Sequence, residues 1–265
     1  MLCDFHLHTD FSGDSHTPAA AQIEKAISLG MSRICITDHH DMEVVSPCDF
    51  TLDLPKYIPA MEELRKKYDG RIRIEIGIEL GLQNHIASKL MAVSRQYPFD
   101  YIIGSCHFID GLDPYYPEFF HGKTEAEGYS RFFQVTLSRI QALDCFDALG
   151  HLDYVVRYGP NKNRDYHYQD YKDVIDSILE TLIRKGKALE CNTGGFHYGL
   201  GHPNPCEEIL CRYRELGGEL LTVGSDAHTP EYVGFDFKRT KELLKACGFS
   251  HYTVYHQRKP QFLPL

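Results

Sequence analysis

The order of segments in this chain predicts a closed parallel α/β barrel folded as one domain over residues 1–265. Three observations predict it. Strand-like and helix-like patterns alternate seven times, which implies parallel strands joined by right-handed crossovers. Nearly every strand-like segment then delivers His, Asp or Glu where the strand stops, as in CDFHLHTDFSGD, ICITDHH, IRIEIGIELG, YIIGSCHF, FDALGHLD and LLTVGSDAH. In a closed parallel barrel all such ends meet on one face, where chemistry is done. Finally, no internal repeat, low-complexity run or linker divides the chain.

Strands are expected near 2–8, 33–38, 72–80, 100–107, 145–151, 187–192 and 219–225, one unit short of the usual eight. Thr17-Pro18 reads as the N-cap and first-turn proline of the first helix, and Gly30 as its stop. Residues 56–68 and 84–95 read as the next two helices, and 124–143 as a longer one. In 171–185, Val174, Ile175, Ile178, Leu179, Leu182 and Ile183 form a core-facing stripe closed by Gly186. Asn204-Pro205 with Glu207 and Glu208 opens another helix, which ends at Gly217, and Thr229-Pro230-Glu231 opens the last. Residues 40–55 and 108–123 are long loops rich in Asp, Pro and aromatics, expected to shape a pocket on the C-terminal face. The tail SHYTVYHQRKPQFLPL alternates like a short strand that caps the barrel.

Composition narrows the function. With 43% apolar and 25% charged residues the chain is an ordinary globular protein, and no stretch approaches the ~20 apolar residues of a membrane span. The start MLCDFHLHTD has neither a basic nor an apolar leader region, so a cytoplasmic location is expected. Nine scattered cysteines without a CxxC pair predict reduced thiols rather than disulfides. A net charge of -9 with no basic stripe argues against a long nucleic acid as partner. Fifteen histidines are unusually many and need an explanation beyond composition.

That explanation lies at the strand ends. His6 and His8, two residues apart on a strand, put both imidazoles on one face and within reach of one metal. Asp226 and His228 repeat the spacing at the last strand end. Asp14 follows the small residues Ser12 and Gly13, and Thr37-Asp38-His39 ends the second strand. Glu79, His107 and His151 end the third, fourth and fifth. A lone HxH is more often a pair of surface histidines. Nine metal-type side chains at five or six strand ends are much harder to produce by chance. Imidazole with carboxylate suits zinc, manganese or iron, so a metal-dependent enzyme, a hydrolase, is expected.

In this order, HxHTxxSxD, TDH, GxE, SxH, GHxD and SDxH resemble the polymerase-and-histidinol-phosphatase (PHP) superfamily over the whole chain. Within it the single-domain length, the SCHFIDG loop and the GHLDYVVRYG segment are similar to the stand-alone histidinol-phosphate phosphatases. The resemblance implies a distorted seven-stranded (β/α)7 TIM-like barrel and two to three divalent metal ions (Zn, Mn or Fe). It implies that His6, His8, Glu79 and Asp226 hold a first metal, and that Glu79 bridges to a second on His107 and His151. Asp14, His39 and His228 match the third; His39 rather than His40 is the ligand by its place in TDH, and Asp14 stands where relatives often have His. The implied activity is hydrolysis of L-histidinol phosphate in histidine biosynthesis, with Glu79, Asp226 and Arg157 as catalytic residues. A related phosphoesterase acting on nucleotides or phosphotyrosine is the alternative, and a metal-binding module without catalysis a third.

The physics suits a phosphate monoester as the small-molecule substrate. Three divalent cations outweigh the three carboxylates among the implied ligands, giving a positive centre inside an acidic protein. The chain has neither the CxxxxxR of tyrosine phosphatases nor a GxxxxGK phosphate loop, so metal-activated water is the expected nucleophile. Arg157, six residues after His151, is either a phosphate clamp or a solvated arginine, and the matching segment favours the clamp. His197 and Tyr198 (with His202 nearby) follow the sixth strand in NTGGFHYGLGH and are candidate substrate contacts. Asp153 either orients His151 or turns the chain. His16, His85, His121, His167, His251 and His256 are expected at the surface.

Overall fold

A computed structural model describes residues 3–265; Leu2, inside the expected strand 2–8, lies outside them. Strands β1 (Arg33–Ile36), β2 (His39–His40), β3 (Arg73–Gly81), β4 (Tyr101–Ser105), β5 (Ala148–Leu149), β6 (Ala188–Asn192) and β7 (Leu221–Gly224) form one parallel sheet. It runs β1-β3-β4-β5-β6-β7, with β2 also paired to β3. Residues 4–8 close the ring between its two edges. On one side Asp4 and Leu7 carbonyls accept from the amides of Cys35 (2.8 Å) and Thr37 (2.9 Å). On the other, Phe5 donates to Val223 (3.0 Å), His8 to Ala227 (3.0 Å), and Asp226 donates to His6 (2.9 Å). The barrel thus has the seven staves expected, residues 33–40 counting as one.

Distortion arises where side-chain oxygens replace ladder carbonyls. The expected strand 33–38 is split because Thr37 Oγ1 accepts the Leu7 amide (3.2 Å) and Asp38 Oδ1 the Thr9 amide (2.6 Å). Similarly, Asp147 Oδ2 takes the Ile102 amide at 2.9 Å, and regular pairing of the expected strand 145–151 shrinks to Ala148–Leu149.

The crossover helices are α1 (Ala19–Ser28), α2 (Leu54–Lys67), α3 (Ala87–Gln96), α4 (Glu125–Ala142), α5 (Lys172–Lys185), the short α6 (Gly194–His197), α7 (Glu207–Glu215) and α8 (Phe237–Ala246). The α5 stripe Ile175, Ile178, Leu179 and Leu182 is fully buried, and Gly186 ends the helix in the left-handed region (φ 62°). Two local expectations are corrected. Thr17 does not cap α1; its hydroxyl donates to the His228 carbonyl at 2.7 Å instead. The last helix begins at Phe237, since Pro230 opens only a single 3-10 turn before Gly234 and Asp236 take positive φ. No described helix is long and apolar enough to cross a membrane.

The tail forms an antiparallel hairpin of β8 (His251–His256) and β9 (Lys259–Pro264) that closes the barrel floor, opposite the ligand-bearing strand ends. Tyr255 stacks on Tyr101 with ring centroids 5.0 Å apart. The His256 ring, expected at the surface, is half-buried with Nδ1 2.9 Å from Glu75 and 3.0 Å from Asp100. The expectation of reduced thiols throughout is also corrected: Cys211 on α7 is disulfide-bonded to Cys247 at the end of α8. The two are 36 residues apart in sequence, so no local spacing reveals the pair.

Arg258 is the pin of the floor. Its Nε and Nη2 donate to the Asp147 carboxylate at 2.7 and 2.8 Å, and Nη1 to the Ser94 carbonyl at 3.2 Å. Arg258→Ala leaves a buried carboxylate short of its counter-charge and is expected to cost about 3 kcal/mol in urea unfolding. Lys should recover little, because it lacks the fork. A loss below about 1 kcal/mol would assign the closure to the aromatic contacts instead.

Candidate active site: a metal centre at the barrel mouth

The strand ends deliver nine ligand-type side chains to one place. His6 and His8 arrive from the closing segment and Asp14 from the loop after it, His39 from β2, Glu79 from β3, His107 and His151 just past β4 and β5, and Asp226 and His228 past β7. His6, His8 and Glu79 are 0% exposed. Such burial of charge is tolerated only with partners. Yet His6 Nε2, His8 Nε2, His39 Nδ1 and Glu79 Oε2 make no hydrogen bond although buried. All converge on one another, which is what a cation's donor set requires.

The separations fit such a cation. Nε2 of His6 lies 3.3 Å from Glu79 Oε2 and 3.6 Å from Asp226 Oδ1. Nε2 of His8 lies 3.6 and 3.2 Å from the same two oxygens. Four atoms about 2.0–2.2 Å from a tetrahedral zinc stand roughly 3.3–3.6 Å apart. The other Glu79 oxygen, Oε1, lies 3.2 Å from His107 Nε2 and 2.9 Å from His151 Nε2, themselves 3.4 Å apart. Asp14 Oδ2 lies 3.5 Å from His39 Nε2 and 3.1 Å from His228 Nε2. The distances thus bring together the members of each of the three groups that the resemblance implied, and Glu79 belongs to two of them. His39 also presents Nδ1 to Glu79 Oε2 at 2.9 Å, so its ring stands between two groups. His40 lies apart: its Nδ1 accepts the Leu52 amide at 3.0 Å and anchors the 40–55 loop.

Two of these groups are shifted strongly by their neighbours. Burial and the neighbouring His228 and His39 push His8 down to about 3, so its imidazole is neutral with a lone pair to give. Burial alone would raise Glu79, but His39, His6 and His107 hold its carboxyl well below the usual range. Orientation comes from outer partners: Asp41 faces His107 Nδ1 at 3.1 Å, and Glu190 faces His6 Nδ1 at 2.6 Å. Neither carboxylate stood out in the sequence. Asp41 is masked by the run TDHHD, and Glu190 sits inside the apolar strand ALECN.

Arg157 is 3% exposed, which removes the solvated reading. Its Nη1 donates to Asp226 Oδ2 (2.8 Å), Nε to Asn204 Oδ1 (2.8 Å) and Nη2 to Asn192 Oδ1 (2.9 Å). The guanidinium also lies over the Tyr198 ring, 4.6 Å from its centroid. Asp153 does not touch the His151 ring; it accepts from Asn204 Nδ2 (2.5 Å) and the Cys206 amide (3.0 Å), and so fixes the asparagine that holds Arg157.

A cavity of about 370 Å³ opens over this cluster. Its floor is Asp14, His39, His107, His151, Asp226 and His228, with Arg157 at one side. Both long loops supply its wall, through Phe50 from one and Phe108, Asp113, Tyr115 and Tyr116 from the other. Tyr154, Tyr158 and Tyr198 complete it. His197 and His202 are not on the lining: His197 is exposed and packs against Tyr232, with ring centroids 3.5 Å apart, and His202 Nδ1 meets the Pro203 carbonyl.

A parallel barrel with convergent imidazoles and carboxylates under an aromatic cavity defines a metal-dependent hydrolase of the α/β-barrel class. The PHP domain family's profile matches residues 4–194, and the chain belongs to that family. It is 30% identical to the histidinol-phosphatase of Lactococcus lactis subsp. lactis (strain IL1403) over 97% of this chain and 95% of that one. It is also 30% identical to a probable histidinol-phosphatase of Clostridium acetobutylicum, over 94% of each. The crystal structure of the Lactococcus lactis histidinol phosphate phosphatase, complexed with Zn, L-histidinol and phosphate, superposes with a TM-score of 0.92 over 98% of both chains at 30% identity. The putative histidinol phosphatase of Listeria monocytogenes shares the fold, with a TM-score of 0.78 over 89% of this chain and 99% of that one at 21% identity.

Protein reconstituted with zinc, manganese or iron should hold two to three ions per chain by elemental analysis. His8→Ala or Asp226→Asn should remove at least one ion and most activity while the far-UV spectrum stays unchanged. Less than one equivalent in the reconstituted wild type would rule the centre out.

Proposed function

We propose that the chain is an L-histidinol-phosphate phosphatase, a cytoplasmic enzyme of histidine biosynthesis that hydrolyses a phosphate monoester with the aid of divalent metals. The observation that carries the reading is a set of three donor groups, two sharing Glu79 and the third linked to it by His39, beneath a cavity that Arg157 also lines. The relatives named above support the substrate. His6, His8, Glu79 and Asp226 would hold one metal, Glu79 with His107 and His151 a second, and Asp14, His39 and His228 a third.

Metals bound there would supply Lewis-acid polarisation of the phosphoryl oxygens and a water of lowered pKa. The chain's own residues do the rest. Arg157 spends three of its N–H groups on Asp226, Asn204 and Asn192, and two remain to grip a phosphoryl oxygen. Because Asn204 is itself fixed by Asp153, the fork is preorganised rather than recruited on binding. Tyr154 packs between the metal-side rings and the outer wall, its centroid 5.0 Å from that of His151 and its hydroxyl 3.3 Å from Asp113 Oδ1. Asp113 Oδ1 also accepts the Tyr115 amide (2.9 Å), while Oδ2 has no hydrogen bond among the described residues. A carboxylate one aromatic side chain away from the phosphate end suits the ammonium or imidazole of histidinol. The tyrosines around it exclude water and offer ring faces to a cation.

Phosphate release is expected to be far more efficient, by kcat/KM, from L-histidinol phosphate than from p-nitrophenyl phosphate or a mononucleotide. Equal efficiency on the three would make the chain a broad phosphoesterase. Asp113→Asn should lower the preference for histidinol phosphate over p-nitrophenyl phosphate by about tenfold, through loss of a charge-assisted bond. An unchanged ratio would remove Asp113 from recognition.

Arg157→Ala should cost roughly ten- to a hundredfold in kcat/KM on every phosphate ester, with Lys restoring part. Metal content measured on the same variant separates two causes. Retained metals place the loss on phosphate contact, whereas lost metals place it on the bond to Asp226.

A further inference from the structure

Glu190 is a buried carboxylate whose bonds all run toward the metal centre. It sits in the middle of β6, opposite Thr222 of β7, in a strand whose neighbours Leu189 and Cys191 are fully buried. It is 1% exposed, and no lysine or arginine pairs with it among the described residues. The backbone ladder of β6 does not use this side chain, and a buried carboxylate without a cation is costly. Its partners instead belong to the metal centre. Oε1 lies 2.6 Å from His6 Nδ1, and Oε2 accepts the His151 amide at 2.8 Å, with Asn192 Nδ2 donating to the same oxygen at 3.1 Å. The two rings so tied are neighbours, with centroids 5.7 Å apart.

A second observation comes from the next strand. A Cβ on Gly224 would lie 2.3 Å from His6 Cβ and 2.8 Å from Glu190 Oε1. Only glycine at that position lets the His6 ring and the Glu190 carboxylate meet. Gly224 has an ordinary negative φ, so no turn requires it; the space it leaves is what matters.

We infer that Glu190 is a positioning residue of the metal centre, setting a ligand side chain of the first metal group and the backbone that carries a ligand of the second. The bond to Oε1 puts the His6 proton on Nδ1. That leaves the Nε2 lone pair facing Glu79 Oε2 and Asp226 Oδ1, 3.3 and 3.6 Å away. The bond to Oε2 fixes the start of the turn from which His151 reaches Glu79 Oε1 at 2.9 Å. A negative charge behind an imidazole also raises its strength as a donor. The His39, Asp14 and His228 group has no contact with Glu190, so the dependence should be confined to the ions held by His6 and His151. This rests on the metal-centre reading given above, but not on the identity of the substrate.

The test is zinc affinity of the full chain, measured by competition with a chelator of known strength for wild type, Glu190→Gln, Glu190→Asp and Gly224→Ala. Glu190→Gln should bind zinc about 10- to 100-fold more weakly. Activity should return largely at saturating zinc, and the unfolding temperature should fall more in the zinc-loaded than in the metal-free protein. Glu190→Asp, which keeps the charge and loses reach, should fall between. Gly224→Ala keeps both groups but wedges them apart, and should weaken zinc binding in the same direction. Those two variants carry the test if Glu190→Gln does not fold. Wild-type zinc affinity in the variants would overturn the inference. So would equal destabilisation of metal-free and loaded protein, which marks a purely structural carboxylate. A wild-type chain that binds no zinc would instead sink the metal-centre reading on which the inference stands.

Discussion

The Glu79 carboxylate is the point on which the upper half of this barrel depends. It is wholly buried, and no arginine or lysine neutralises it among the described residues. Its two oxygens face different sets of nitrogens: Oε2 meets His6, His8 and His39, and Oε1 meets His107 and His151. Ser105 adds a neutral bond, its hydroxyl donating to Oε1 at 2.6 Å. The five rings come from four staves, so the charge is accommodated only when the sheet has curled into a ring. Closure of the barrel and assembly of the site are therefore one event. The closing element, residues 4–8, is also the one that carries His6 and His8.

Closure has to be secured at the other end without disturbing that charge. The C-terminal hairpin does so with pairs of its own, Arg258 to Asp147 and His256 to Glu75 and Asp100, and with Tyr255 stacked on Tyr101. Between floor and mouth lie aromatic and aliphatic side chains, among them Phe5 edge-on to Tyr101 at 5.6 Å. The two polar ends are thereby held apart, so ligand geometry at the mouth is set by the staves and by the carboxylates behind the ligand rings rather than by the floor.

The stave count, most helices and the nine ligand-type residues were legible in the sequence because they obey short periods. Strands alternate, ligands fall at strand ends, and both can be read within ten residues. Interactions set by three-dimensional proximity were not legible. Glu190 looks like one polar residue in a buried strand until His6, 184 positions earlier, is brought against it. The Cys211–Cys247 disulfide joins helices whose sequences carry no cysteine pattern. His197 looked promising in a glycine-rich turn, but the turn aims Tyr198 into the cavity and leaves His197 outside. The last helix misled for a related reason: Thr229-Pro230 is a sound start signal, overridden when the Gly234 amide is recruited by Asp4 at 2.9 Å.

The same residues that hold the site also couple its parts. Asp226 presents Oδ1 to His6 and His8 and Oδ2 to Arg157, so the proposed phosphate grip and the first donor group share one carboxylate. Asp226 lies at positive φ (59°), a conformation that only its surroundings can stabilise. Those surroundings are the Asp226 amide bonded to His6 and the carboxylate bonded to Arg157, which Asn204 and Asp153 lock in turn. A change at any member of this chain moves the others, because each has a single buried position with few alternatives. The wall proposed to select the substrate lies on the other side of the cavity. Asp113 and the tyrosines of the 108–123 loop touch the cavity from the wall; Asp113 meets the metal side through Tyr154, and Tyr115 packs on Tyr158 with ring centroids 5.3 Å apart. The architecture thus sets a mutually bonded floor of ligand-type residues beneath a wall that the two long loops help to build, the arrangement on which the proposed division between phosphate binding and substrate choice rests.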